Sequence, residues 1–217
     1  MIARASPMMT QPARRHVPAI LLALFIGLSV VLGIAPATRE DWLLENVLVV
    51  LALAWLVHSY RRLPLSDAAY ACLFVFGVLH EIGAHYQYSA VPYEAWFAAI
   101  SGGGSLDAMF GFERNQYDRL VHFLYGVLVT PAAVEVIEAR VRPRGVWRFL
   151  VPFTFMASHA LAYELFEWLA ASLFGGDLGE AYLGTQGDAW DAHKDMALAV
   201  LGNALVLPVW LRRMRIR

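Results

Sequence analysis

Tyr117-Asp118-Arg119-Leu120-Val121-His122-Phe123-Leu124-Tyr125-Gly126-Val127-Leu128-Val129-Thr130-Pro131-Ala132-Ala133-Val134 decides the class of this chain. The first turns carry an acid, a guanidinium and an imidazole, and the rest reads as hydrocarbon. With its continuation to Ile137 the run reaches the roughly 20 apolar residues that cross a bilayer as a helix. Placing a charged side chain at mid-membrane costs about 2.5–3.5 kcal/mol on insertion scales. Ionisable groups at the end of such a span therefore need partners: a metal, a head group or each other.

Five more stretches of the same kind flank it: Val17–Ala37, Trp42–Tyr60, Ala68–Tyr88, Phe149–Leu173 and Asp191–Leu211. The composition agrees. Of 217 residues 59% are hydrophobic and 16% charged, against about 25% charged in soluble domains. Mean hydropathy is +0.52. The expected fold is all-α, a polytopic membrane helix bundle of six transmembrane helices. A tail over 1–16 precedes a single domain over 17–211, and a basic tail follows over 212–217. The stretch Ser89–Gln116, with Ser101-Gly102-Gly103-Gly104-Ser105, reads as a longer loop. A net charge of −1 argues against a nucleic-acid partner. The one cysteine, Cys72, excludes an internal disulfide and a CxxC metal site.

Basic residues set the orientation. Arg4, Arg14 and Arg15 precede the first span, and Arg61 and Arg62 follow the second. Arg140, Arg142, Arg144 and Arg148 join the fourth to the fifth, and Arg212, Arg213, Arg215 and Arg217 close the chain. Six spans put all of these on one side, so both termini are expected in the cytoplasm of a bacterial inner membrane. The start also resembles a signal peptide, with Ala35-Pro36-Ala37 as its cleavage site. Its apolar run of about 18–20 residues exceeds the usual 7–15, which favours a retained span. Loss of that segment would leave the other five spans oriented as before.

This topology gathers the ionisable residues at the outer face. His80, Glu81 and His85 close the third span, and Glu164 and Glu167 lie in the outer half of the fifth. Asp118, Arg119 and His122 open the fourth, and Asp188, Asp191, Lys194 and Asp195 open the sixth. Glu81 and His85, Asp118 and His122, and Asp191 and Asp195 are each four apart, whereas Glu164 and Glu167 are three apart. Such spacings put two side chains on one helix face, and helix bundles build carboxylate–histidine metal sites from inward-facing pairs of this sort. His80 and His85 are one residue too far apart for the H-E-x-x-H pattern.

The expected centre is a divalent metal held by Glu81, His85, Glu167, Asp191 and Asp195. His122 and Glu164 are the proton-transfer candidates. His80, Asp118, Arg119, Asp188 and Lys194 would orient the ligands or hold a head group. Imidazole and carboxylate without thiolate suit Zn, Mn, Fe or Ca. Plainer readings stand beside these. Acid–base pairs such as Lys194 with Asp188 or Asp191 can simply neutralise each other. The acids of 188–191 also suit a helix N-terminus. His159 reads as a hydrogen-bond partner of a neighbouring helix, Glu45 as a boundary residue, and Gly202 and Asn203 as packing.

The blocks His80-Glu81-x3-His85-Tyr86, Tyr117 to Phe123, Glu164-Leu165-Phe166-Glu167-Trp168 and Gly184 to Met196 resemble the YjdF-like family of bacterial inner-membrane proteins. The likeness runs from His80 to Asn203. More distantly, Asp118 to Phe123, Glu164 to Glu167, and Asp195 with Gly202-Asn203 resemble the VanZ-like membrane proteins, whose Asn-Gly order is reversed here. The family resemblance implies an integral membrane protein of about six helices and supplies no reaction.

Three functions fit these residues. The first is a metal-dependent enzyme acting on a lipid or lipid-linked head group at the outer face. The second is a small ion- or proton-coupled transporter, against which stand an apolar inner half and the absence of an inverted repeat. The third is a structural or accessory membrane protein without catalysis.

Overall fold

Each of the six apolar stretches folds as a helix, and the all-α expectation holds. The computed structural model describes residues 16–174 and 185–215. Over these, the helices are α1 (His16–Leu32), α2 (Arg39–Ser59), α3 (Asp67–Tyr86), α4 (Tyr93–Ser101), α5 (Leu106–Phe110), α6 (Tyr117–Arg140), α7 (Trp147–Phe174) and α8 (Asp191–Arg215). Arg4, Arg14, Arg15, Gly184 and the last two residues lie outside them.

Five helices, α2, α3, α6, α7 and α8, are long and apolar enough to cross a membrane. The expected first span is shorter than its sequence suggested. α1 has 17 residues, which at 1.5 Å each gives about 25 Å. Just past its end, Arg39 donates to the carbonyls of Gly33 and Ile34, at 3.3 and 3.0 Å. Pro36 disfavours helical backbone at Ala35. At the other end of the chain, α8 runs on through the arginines to Arg215, so the basic tail begins as helix.

The loop expected between the third and fourth spans contains two short helices, α4 and α5. Ser105 caps α5 by accepting from the Ala108 N–H at 3.0 Å. Left-handed Gly102 and Gly111 end α4 and α5. Gln87 and Tyr88, both at positive φ, turn the chain sharply out of α3.

α6 lies at the centre. It packs most extensively on α8, then on α3, while α7 also packs on α8 and α1 on α3. Asn203 on α8 is fully buried and ties three helices together. Its Nδ2 donates to the Phe153 carbonyl on α7 at 3.2 Å, and Thr130 Oγ on α6 donates to its Oδ1 at 3.1 Å. This is the packing role expected of Gly202-Asn203. His159 also behaves as expected, with its Nδ1 2.8 Å from Tyr125 Oη on α6. A core of Leu65, Ala69, Ala132, Val134, Leu207 and Trp210 closes one end of the bundle. There Glu135 on α6 accepts from both the Ser66 N–H and the Ser66 hydroxyl, each at 2.6 Å, and so anchors the start of α3. At the opposite end α2, α6 and α8 begin while α3 and α7 finish, which brings their polar turns together.

Candidate metal centre

The site is built around His122, one turn into α6. Asp118 is one turn before it, and its Oδ1 lies 3.5 Å from His122 Nε2. On the other side of the ring, His122 Nδ1 is 3.6 Å from Glu164 Oε1 on α7. Asp195, on the second turn of α8, joins the first side, and Glu167 joins the second. Asp118, His122 and Asp195 each offer a ligand atom within 4.8 Å of the others, and so do His122, Glu164 and Glu167. Asp195 is only 2% exposed and Glu164 only 9%. One oxygen of each, Asp195 Oδ1 and Glu164 Oε1, is buried without a hydrogen-bond partner.

Among the described residues, no lysine or arginine pairs with these four carboxylates. The cations nearby are engaged elsewhere. Arg114 reaches Asp191 at 2.5 Å and the Thr185 carbonyl at 2.8 Å. Arg119 reaches Asp188 at 2.5 Å and Asp191 at 3.2 Å. Lys194 also pairs with Asp188. Lys194 and the Trp190 N–H hold the half-buried Asp188 carboxyl down at about 2.

The structure thus separates residues that spacing had grouped. Asp191, expected as a metal ligand, is clasped by two guanidinium groups. Its charge is met, because Arg114 comes from outside the spans to meet it. Asp188 belongs to the same clasp. Arg119 and Lys194, expected to hold a head group, spend most of their charge there.

Glu81 and His85 do share a face of α3, but that face meets α1. Glu81 Oε1 accepts from Ser29 Oγ at 2.9 Å, and His85 Nδ1 lies 2.7 Å from the Leu32 carbonyl. Neither belongs to a ligand group around His122. His80 is buried against Tyr88, whose hydroxyl is 2.5 Å from its Nδ1. Tyr88 borders the cluster, within electrostatic reach of Glu45, Asp118 and Glu167.

The loops leading into α6 and α8 are stitched together. The Asn115 N–H donates to Gln186 Oε1 at 3.0 Å, and Gln186 Nε2 donates to the Asn115 carbonyl at 3.2 Å. Asn115 Nδ2 donates to the Val91 carbonyl at 2.9 Å. Beside the clasp, a groove of about 350 Å³ is lined by Arg119, Lys194, Ala197, Leu198 and Leu201.

The family described as "Predicted membrane protein (DUF2238)" matches residues 17–217. This chain belongs to the DUF2238 family. The Escherichia coli (strain K12) "Inner membrane protein YjdF" is 34% identical to it over 205 residues, 92% of each chain. No solved structure matches. The YjdF-like resemblance read between His80 and Asn203 therefore holds, and the match extends through the first two spans. This DUF2238 chain is an integral, multi-pass inner-membrane protein.

Sequence reasoning passed over several residues around His122. Glu45, read as a boundary residue, is buried, and its Oε2 accepts from Tyr163 Oη at 3.1 Å. Tyr163 in turn packs edge-on against the His122 ring, with centroids 5.9 Å apart. The signal was present: Glu45 opens a span at the same end as the others, four residues after Asp41. Tyr163 and Arg114 carried none, being one aromatic among many and one loop cation.

Proposed function

We propose that this protein is a metal-dependent enzyme whose substrate is a lipid or lipid-linked head group at the outer face of the inner membrane. One observation carries this reading: four largely buried carboxylates converge on a single imidazole with no guanidinium or ammonium to meet them among the described residues. Like charges so close repel unless they are protonated or bound to a cation. Asp118, His122, Glu164, Glu167 and Asp195 supply the oxygen and nitrogen donors that a divalent ion takes. The ion would act as Lewis acid or activate water. As ligands, His122 and Glu164 would hold the ion rather than transfer protons, and a water on the ion would take up the acid–base role expected of them.

The excess of arginine on the loops and tail away from this end supports an outward-facing site. The groove beside the clasp supports a lipid. Its wall of Ala197, Leu198 and Leu201 suits an acyl chain, while a phosphate at its Arg119 and Lys194 end would have to compete with Asp188 and Asp191 for those cations. A purely structural role fits the Arg114–Asp191–Arg119–Asp188–Lys194 clasp, where the charges close on one another. It fits the His122 cluster poorly, because those charges do not.

Elemental analysis of detergent-purified protein tests the reading. Divalent metal should accompany the native chain and be lost when His122→Ala and Glu164→Ala are combined. Metal-free native protein would remove the basis of the proposal.

A further inference from the structure

The two ligand groups meet at opposite nitrogens of one ring. Nε2 of His122 faces Asp118, and Nδ1 faces Glu164. Each side adds a second carboxylate, Asp195 or Glu167, within the same 4.8 Å limit. Each side also holds a buried oxygen with no hydrogen bond, Asp195 Oδ1 on one and Glu164 Oε1 on the other. These orphaned atoms sit in side chains 2% and 9% exposed, so water does not readily serve them. One cation could satisfy only one side. It would leave the other side with two carboxylates, a single N–H between them and a buried oxygen still unmet.

We propose that this is a two-cation centre in which His122 is shared. One divalent ion takes Asp118, Asp195 and Nε2, and a second takes Glu164, Glu167 and Nδ1. The inference rests on the metal-binding reading above and extends it to number and ligand set. The charges support it: two divalent ions against four carboxylates and a bridging imidazolate leave one negative charge unmet, whereas one ion with a neutral imidazole leaves two in a low-dielectric site. Three protein ligands per ion leave a position open on each for water or a substrate oxygen.

The proton balance is explicit. A neutral imidazole binds the first ion through one nitrogen and keeps its proton on the other. As the second metal–nitrogen bond forms, that N–H bond breaks. The proton leaves through a neighbouring carboxylate to water, so uptake of the second ion releases one proton and favours higher pH.

The test is a count of ions per chain. Full-length protein is stripped with chelator, equilibrated separately with Zn²⁺ and Mn²⁺, and analysed for bound metal. Two equivalents of either ion are expected for the native chain. Asp195→Asn and Glu167→Gln should each retain one, and His122→Gln should weaken both. Asp118→Asn and Glu164→Gln replace any variant that fails to give the native helical circular dichroism. One equivalent in the native chain overturns the pair and leaves the metal-enzyme reading standing. Two equivalents that vanish together, or that resist both single variants, overturn the ligand assignment. No bound metal under either condition overturns both readings.

Discussion

Gly126 of α6 and Gly202 of α8 face each other where the two helices cross. A Cβ on Gly202 would lie 3.2 Å from the Gly126 carbonyl carbon and 3.0 Å from the Val127 nitrogen. A Cβ on Gly126 would strike the Ala199 carbonyl oxygen and approach the Asn203 nitrogen at 2.7 Å. All of these are backbone atoms, which cannot swing aside. Small residues that let helix backbones touch are the usual means of packing spans without a hydrophobic driving force. Gly126→Ala and Gly202→Ala should each lower stability by about 1–3 kcal/mol, the usual cost of overpacking. Gly27→Ala, with open space around it, should be close to neutral. Thermal unfolding in detergent compares the three.

Asp191 and Asp195 sit one turn apart on α8 and should behave differently. Asp191→Asn weakens the pairs with Arg114 and Arg119 and should destabilise the fold without lowering bound metal. Asp195→Asn should lower bound metal with less effect on stability. Removing both guanidinium groups, by Arg114→Gln with Arg119→Gln, strands a carboxylate that is 3% exposed. That loss should approach the roughly 3–5 kcal/mol of a broken buried pair. Metal content and unfolding midpoint, measured on the same preparations, separate the two roles.

Asp188 predicts an acid transition in the loop before α8. Its carboxyl, held at about 2, lies below the ordinary carboxylate value near 4. A depressed acid contributes stability that is complete above the ordinary value and is lost as pH falls through the folded one. Trp190, two residues on, should therefore keep its fluorescence down to about pH 4 and change as pH approaches 2. In Lys194→Ala the change should begin at higher pH.

Glu135 and Ser66 fasten α6 to the start of α3 at the other end of the bundle. Two hydrogen bonds to a carboxylate are worth more than neutral ones, about 1.5–3 kcal/mol each. Glu135→Gln should cost on the order of that for one bond and leave metal binding untouched. A double-mutant cycle with Ser66→Ala measures the coupling.

The spans were legible because apolar runs of such length have one common solution in a bilayer. α4 and α5 were not, since nine and five residues are too few for a readable apolar stripe. Spacing correctly put Glu81 with His85 on one face, but spacing cannot say which helix that face meets, and it meets α1. Topology put Asp118, His122, Glu164, Glu167 and Asp195 at one end of the bundle, and the packing of α6 against α8 and α7 brought them together there. Asp191 looked identical to Asp195 in sequence. Its fate was decided by Arg114, which sits 77 residues away in a loop.

The stitching of Asn115 to Gln186, together with the glycine crossing about two turns further in, pins α6 and α8 both above and below Asp118 and Asp195. The spacing of the two helices that carry these carboxylates is therefore held from both sides. Under the proposed metal reading such a frame would act as a gauge: it would take an ion of matching radius with little rearrangement and contract poorly around a smaller one, so ions of equal charge would be sorted by size.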